Sequence, residues 1–159
     1  MNKYHNYYLS LKWTGNSGEG TKNYTGYERS HTIFVENKPE IFASSDAKFR
    51  GDNTKHNPEE LLIASISSCH MLWYLHLCSE AGVVVLDYSD NATGTMEETK
   101  TGGGHFTEVI LNPVVIVEDE SMINKATQLH KKANELCYVA NSLNFKVLHK
   151  PITKINGMK

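Results

Sequence analysis

Three cysteines and two arginines are the residues of this sequence with the clearest capacity for chemistry. The cysteines are Cys69, Cys78 and Cys137, an odd number without a Cys-x-x-C motif. This distribution argues against a secreted disulfide scaffold, and no pair of Cys or His residues has the helical spacing of a local zinc site. We therefore expect no metal and no other cofactor, and the thiols are either core residues or reactive groups.

Cys69 and Cys78 fall in one apolar segment that we predict to be a helix. Nine helical steps of about 100° place their side chains on opposite faces and about 13.5 Å apart along the axis, which rules out a disulfide between them within that helix. Cys137 is the remaining candidate partner. Any of the three could instead be a small core side chain, and we interpret Cys78 in that way.

A reactive Cys69 would need a positive charge beside it, because burial in an apolar helix disfavours a thiolate. It lies about three turns into the predicted helix, too far from the helix start for the dipole to help much. The candidate cations are Arg29 and Arg50, since arginine stays charged when desolvated and donates several hydrogen bonds. Either arginine could equally be an ordinary surface residue.

Glu59, in the first turn of the same predicted helix, could hold one of these arginines in a bidentate ion pair. It could also be only a favourable charge at a helix start. Ten residues of helix span about 15 Å, so Glu59 cannot reach Cys69 of its own chain, and a site that uses both would be shared between subunits. Cys137 follows a predicted helix, where the dipole disfavours a thiolate, and this position suits a resolving role.

The rest of the chain predicts a single α+β domain over residues 1–159. Aromatic and β-branched segments predict N-terminal antiparallel strands within 4–49 and further strands within 83–117, with a loose glycine hairpin at 100–104. A central helix is expected over 58–81, between the Asn57-Pro58 start signal and a left-handed cap at Gly82. An amphipathic helix is expected over 120–136 and a closing edge strand over 144–155.

The central helix is apolar on nearly every side, which predicts burial on every face and a partner subunit covering one of them. Its serines, its histidines and its marginal length argue against a membrane span. A net charge of -2 and a pI of about 6.4 argue against nucleic-acid binding. The polar, aromatic N-terminus does not look like a secretory signal, so we expect a cytoplasmic protein.

Three motifs together resemble the OsmC/Ohr family, the osmotically inducible and organic hydroperoxide resistance proteins. They are the Asn-Pro-Glu-Glu-Leu-Leu of 57–62, the Ser-Cys-His of 68–70 in an apolar helix, and the Glu-Leu-Cys-Tyr-Val-Ala-Asn of 135–141. The resemblance runs from about Trp13 to Val147. It implies an OsmC-like fold, with antiparallel sheets around a long buried helix, in an interlocked homodimer with active sites at the interface.

The resemblance also implies a reaction cycle. Cys69 would attack an alkyl or lipid hydroperoxide and become a sulfenic acid, and Cys137 would condense with it to a disulfide that a lipoyl-type dithiol reduces. The family's arginine corresponds either to Arg29 or to the Lys48-Phe49-Arg50 segment, and we favour Arg50. Tyr138, Val139 and Ala140 follow the second cysteine here, where many members have a proline, so the loop geometry is expected to differ.

Two other functions fit the same residues. One is a dimeric binding protein that takes a small lipophilic ligand and keeps its thiols reduced and inert. The other is general thiol-disulfide exchange, which the lack of a Cys-x-x-C motif disfavours.

Overall fold

A computed structural model describes residues 3–157, so the two positions at each end of the predicted 1–159 domain lie outside the description. The backbone divides into two compact units, Met1–Leu61 and Leu62–Lys159. Strands and helices alternate irregularly along the chain, as the predicted α+β class requires.

The first unit contains a three-stranded antiparallel sheet in the order β1-β2-β3. Its strands are β1 Ser10–Trp13, β2 His31–Phe34 and β3 Ile41–Ala43. A short 3-10 helix, Ala47–Phe49, follows the sheet. The predicted N-terminal antiparallel sheet is therefore present, although its strands fill only part of the 4–49 range.

The central helix α1 spans Pro58–Glu80, close to the predicted 58–81. At its start the Asn57 side chain accepts a hydrogen bond from the Glu60 N–H at 2.8 Å, and the Glu60 carboxylate accepts one from the Asn57 N–H at 3.3 Å. This reciprocal pair is a capping box. At the other end Gly82 has a φ of 71°, and the Val83 N–H donates to the Cys78 carbonyl at 2.9 Å, so the predicted left-handed cap is confirmed.

One stripe of α1 is fully buried, with a spacing of four residues. It consists of Ile66, His70, Tyr74 and Cys78. Burial on every face, as the sequence predicted, is not found within one chain, since the Leu72 side chain is 63% exposed. The helix is long and apolar enough to cross a membrane by composition alone, but the core helix of a soluble protein can meet the same test.

The second unit contains two three-stranded sheets, ordered β4-β7-β9 and β5-β6-β8. Their strands are β4 Val85–Asp90, β5 Thr93–Glu98, β6 Gly104–Leu111, β7 Pro113–Val117, β8 Lys146–His149 and β9 Ile152–Ile155. Both sheets are mixed rather than wholly antiparallel, because β8 runs parallel to β6 and β9 runs parallel to β7. The loose hairpin predicted at 100–104 joins β5 to β6, with Thr99 N–H donating to the Gly103 carbonyl at 2.8 Å.

The predicted single C-terminal strand over 144–155 is wrong, because it is two strands that belong to different sheets. The break occurs at Lys150 and Pro151, where proline cannot donate a ladder hydrogen bond. A matching break at Asn112 separates β6 from β7. The Asp90 carboxylate fixes this corner by accepting hydrogen bonds from the Asn112 N–H at 2.7 Å and from the Ser67 hydroxyl of α1 at 2.6 Å.

The second helix α2 spans Ile123–Leu136 and follows a 3-10 turn at Glu120–Met122, which together match the predicted 120–136. Its buried side chains are Ala126, His130 and Ala133. The main hydrophobic core of the second unit joins α1, α2 and the β4-β7-β9 sheet. It contains Tyr74, Cys78, Val83, Val115, Val117, Ala126 and Ala133.

We expect the substitution Gly82→Ala to lower the free energy of unfolding by about 1 kcal/mol, because a Cβ disfavours the left-handed backbone. No other atom lies within 4 Å of a Cβ placed at Gly82, so backbone conformation alone would set this cost. Gly103→Ala is the matched control, since its Cβ would meet only Thr99 Oγ1, at 3.5 Å. Equal destabilisation of both variants in urea unfolding would contradict this explanation of the cap.

Candidate functional site

The thiols of Cys69 and Cys137 are neighbours in the second unit. Cys69 is half-buried on α1, and Cys137 is fully buried at the residue that ends α2. Burial, followed by a hydrogen-bonding interaction with the Cys69 side chain, raises the pKa of the Cys137 thiol to about 11. Cys137 is therefore protonated at neutral pH, with its sulfur beside that of Cys69.

The chain after Cys137 wraps around its sulfur. The Ala140 N–H points at the Cys137 Sγ at 3.5 Å, and the Asn141 N–H donates to the Cys137 carbonyl at 3.0 Å. Backbone donors at Ala140 and Val139 favour the thiolate and partly oppose the effect of burial on the Cys137 pKa. The segment after Cys137, where many family members have a proline, thus forms a short 3-10 turn, Ala140–Ser142. The N–H group of Ala140, its first residue, faces the Cys137 sulfur.

Cys78 belongs to the hydrophobic core, with only 1% of its surface exposed. Burial raises the pKa of its thiol, which keeps it neutral and unreactive. The interpretation of Cys78 as a core residue agrees with this environment.

Arg29 is held firmly inside the first unit, in the loop before β2. Its guanidinium carbon lies 4.2 Å from the centre of the Tyr27 ring and 4.5 Å from that of Tyr24. The same group donates to the Tyr24 carbonyl at 2.6 Å and to the Tyr27 carbonyl. Cation–π contact and these hydrogen bonds together fix a half-buried positive charge.

Arg50 is more exposed than Arg29 and ends the short 3-10 helix with a φ of 65°. A positive φ is uncommon for a residue other than glycine and marks a backbone held by its surroundings. Its guanidinium lies 5.9 Å from the Tyr24 ring, so both arginines flank the same aromatic side chain. Lys48, the third candidate cation, is exposed on the 3-10 helix.

The predicted ion pair between Glu59 and an arginine is not formed within the described residues of one chain. The ion pairs found there join Lys22 to Glu19, Lys55 to Asp52, His76 to Glu80 and Lys132 to Glu135. One carboxylate oxygen of Glu59 is buried and has no hydrogen-bond partner in residues 3–157. A buried carboxylate oxygen is ordinarily hydrogen-bonded, so this one is available to a partner outside residues 3–157.

A cluster of three histidines in the core of the second unit was not predicted from the sequence. His70 of α1 and His130 of α2 are fully buried, and Nε2 of the first lies 3.0 Å from Nδ1 of the second. Their rings stack with centroids 5.3 Å apart, and His149 stacks on His70 at 5.8 Å. Burial is the main reason why the pKa of His70 falls to about 4 and the pKa of His130 to about 3.

One signal in the sequence could have revealed this cluster. His130 stands four residues after Ala126 and three before Ala133, within the apolar stripe of α2. Counting apolar residues alone passes over it, because histidine scores as polar. Within the described residues, no three His, Cys, Asp or Glu side chains are arranged to hold a metal ion.

Comparison with known proteins identifies the family. The family profile described as OsmC-like protein matches residues 51–150. An OsmC-like protein of unknown function from Vibrio cholerae is 27% identical, with a TM-score of 0.84 over 94% of this chain and 100% of that chain. This chain therefore belongs to the OsmC-like protein family, which confirms the resemblance and the fold class.

Two further relatives are less similar in sequence. An organic hydroperoxide resistance protein from Elizabethkingia anophelis is 20% identical, with a TM-score of 0.68 over 97% of this chain and 100% of that chain. The uncharacterised protein YmaD of Bacillus subtilis is 23% identical over 146 residues, which are 90% of this chain and 89% of that protein. Family membership supports a peroxidase-type stress function at the level of the family.

The histidine pair generates a prediction about pH. Its folded-state pKa values lie below the ordinary 6.5, so the unfolded chain binds more protons as the pH falls from 6.5 towards about 4. The free energy of unfolding should be unaffected by the pair above that window and should decrease within it. The decrease should be on the order of several kcal/mol at pH 4, because each tenfold difference in proton affinity corresponds to about 1.4 kcal/mol and both histidines contribute.

Urea unfolding at several pH values tests this expectation. His130→Phe should reduce the slope of stability against pH, because one buried titrating group is removed. The control is His105→Gln, which changes an exposed histidine outside the pair and should leave the loss of stability caused by the pair in place. If His130→Phe and the wild type lost stability in parallel from pH 6.5 to 4, the pair would not be the cause.

Proposed function

We propose that this protein is a thiol-dependent peroxidase that reduces organic hydroperoxides, with Cys69 as the attacking thiolate and Cys137 as the resolving thiol. The observation that carries this proposal is the contact between the Cys69 and Cys137 side chains, with the pKa of Cys137 raised to about 11. Cys69 is half-buried and Cys137 is protonated beside it. This arrangement suits a reaction in which Cys69 first reacts with peroxide and Cys137 then closes a disulfide with it. Family membership supports the same class of reaction.

The proposed cycle balances without a cofactor. The Cys69 thiolate attacks the outer oxygen of the hydroperoxide, the O–O bond breaks, and the organic fragment leaves as an alkoxide that takes up a proton to give the alcohol. The sulfur of Cys137 then attacks the sulfur of the resulting sulfenic acid. The S–S bond forms, the S–O bond breaks, and the Cys137 thiol proton leaves with the sulfenic hydroxyl as water. A dithiol reductant of the lipoyl type returns the disulfide to two thiols.

Arg29 is the cation that we now favour for this site, ahead of Arg50 and Lys48. It is half-buried and fixed by two aromatic rings and two carbonyl groups, whereas Arg50 and Lys48 are exposed. A fixed, partly desolvated guanidinium stabilises a thiolate or a developing alkoxide more effectively than a mobile surface charge.

We also propose that the working unit is a homodimer in which each site takes groups from both chains. Two observations support a second chain: the unpartnered Glu59 oxygen and the exposed apolar side chains of α1, such as Leu72. A carboxylate from one subunit could then hold an arginine of the other. We place this dimer in the cytoplasm, where a reducing environment keeps the resting thiols free, and we infer no nucleic-acid or membrane partner.

Replacing Cys69 by serine should abolish turnover of cumene hydroperoxide with a dithiol reductant, because the hydroxyl is too weak a nucleophile. Cys78→Ser is the matched control and should keep most of the activity, since Cys78 is a core residue. Full activity in Cys69→Ser would refute the proposal. If one equivalent of peroxide consumed no thiols in the wild type, the chain would instead be a binding protein with inert cysteines.

The choice of cation is tested separately. Arg29→Ala should lower the second-order rate constant for Cys69 oxidation by about 100-fold, whereas Arg50→Ala should have a much smaller effect. Arg29 also contacts Tyr27 and two carbonyl groups that Arg50 does not, so circular dichroism and urea unfolding of both variants check that the fold is kept. Stopped-flow oxidation at neutral pH gives the two rate constants, and a larger loss in Arg50→Ala would reverse the assignment.

A further inference from the structure

The hydrogen bond between His70 and His130 connects the two helices that carry the reacting sulfurs. His70 follows Cys69 directly on α1, and His130 precedes Cys137 by seven residues on α2. Seven residues are nearly two helical turns, so His130 and Cys137 lie on the same side of α2, about 10.5 Å apart along its axis. His70 is therefore adjacent to Cys69 in sequence, and His130 lies on the same side of α2 as Cys137.

Two directional contacts connect α1 with α2 and the residue that ends it. One is the hydrogen bond between His70 and His130, and the other is the interaction between the side chains of Cys69 and Cys137, the two residues that are to react. In the described part of the chain, no other side-chain hydrogen bond joins Pro58–Glu80 to Ile123–Leu136. The remaining contacts between them are apolar, with Tyr74 and Cys78 in one core cluster with Ala126 and Ala133. Apolar packing is not directional, and small alanines tolerate sliding, whereas a hydrogen bond requires a definite distance and angle.

Losing this bond would be costly because neither imidazole has an alternative partner. The outer nitrogens, Nδ1 of His70 and Nε2 of His130, are buried without any hydrogen bond among residues 3–157. Each ring therefore makes one hydrogen bond, and that bond goes to the other ring. Any shift of α2 along α1 would leave the inner nitrogens unsatisfied as well, which opposes the shift.

Helix register matters here because disulfide formation tolerates little error in distance. Bonded cysteines have Cα atoms about 4.4 to 6.8 Å apart, while one helical turn advances the backbone by about 5.4 Å. A slip of one turn would carry Cys137 out of reach of Cys69. Oxidation of Cys69 by peroxide needs no such alignment.

We propose that His70 and His130 are positioning residues, whose hydrogen bond sets the register of α2 on α1 and so holds Cys137 ready to resolve the Cys69 sulfenic acid. This inference rests on the proposed peroxidase function, but it concerns the second step alone. Neither histidine touches the reacting oxygen, and both act through the helices that they join.

The test compares two substitutions of similar size at one position. His70→Met removes the hydrogen bond, whereas His70→Gln places a side-chain amide nitrogen where Nε2 lies and can keep it. Reduced protein is mixed with one equivalent of cumene hydroperoxide. Samples are quenched with acid at intervals, and the mass of the intact protein is measured by mass spectrometry. Sulfenic acid adds about 16 Da and the disulfide removes about 2 Da, so the two steps are timed separately.

We expect His70→Met to form the sulfenic acid at the wild-type rate and to close the disulfide about 10-fold more slowly. The intermediate should accumulate and go on to sulfinic acid, and His70→Gln should restore most of the resolving rate. A wild-type resolving rate in His70→Met would overturn the inference and leave the peroxidase proposal intact. Equal slowing of both steps in Met and Gln variants would also overturn it, since that result indicates general loss of structure.

Two further cases, an unfolded His70→Met variant and a wild-type protein that peroxide does not oxidise, also have a defined interpretation. If circular dichroism shows His70→Met to be unfolded, the comparison moves to the other partner, with His130→Leu against His130→Asn, whose amide nitrogen replaces Nδ1. The expected results and the overturning results are the same for that pair. A wild-type protein that is never oxidised would overturn the peroxidase proposal itself, and this inference with it.

Discussion

The packing of α1 on α2 is the constraint on which the rest of the second unit depends. A stripe with a spacing of four residues on α1 meets the small side chains Ala126 and Ala133 of α2, and the β4-β7-β9 sheet closes the core behind them. This arrangement brings together two cysteines that are distant in sequence. The His70–His130 hydrogen bond adds direction to a helix contact that is otherwise largely apolar, away from the two thiols.

Burial keeps three titratable groups of the second unit neutral. Burial raises the pKa of Cys137 and lowers the pKa values of the histidine pair, so all three groups are uncharged at neutral pH. Both arginines of the chain lie in Met1–Leu61, outside the unit that contains the cysteines. The Cys69 thiolate of the proposed mechanism therefore has no arginine within its own unit.

Local signals in the sequence were enough to predict the helices and their ends. The helix start at Asn57 and Pro58, the left-handed cap at Gly82 and the amphipathic second helix all depend on neighbouring residues, and all are present. Strand pairing was harder to predict, because β8 and β9 are short and their parallel partners lie far away in sequence. The chain passes from one sheet to the other between β8 and β9, and Pro151 is the one residue in the sequence that signals this break.

For a similar reason, the cysteines of the candidate site could be predicted from the sequence, whereas the histidine cluster and the choice of arginine could not. The two cysteines stood out by residue type and by the motifs around them, but the histidine cluster depends on three elements meeting in space. The choice between Arg29 and Arg50 depends on how the loop containing Tyr24 and Tyr27 folds, and that loop has no periodic pattern from which to predict it.

The proposed mechanism requires that peroxide oxidise one particular pair of sulfurs. This pairing is determined directly by treating the reduced protein with one equivalent of an organic hydroperoxide and mapping the disulfide-linked peptides. We expect a single intramolecular bridge between Cys69 and Cys137, with Cys78 recovered as a free thiol. Recovery of all three thiols, or a bridge that includes Cys78, would contradict the mechanism.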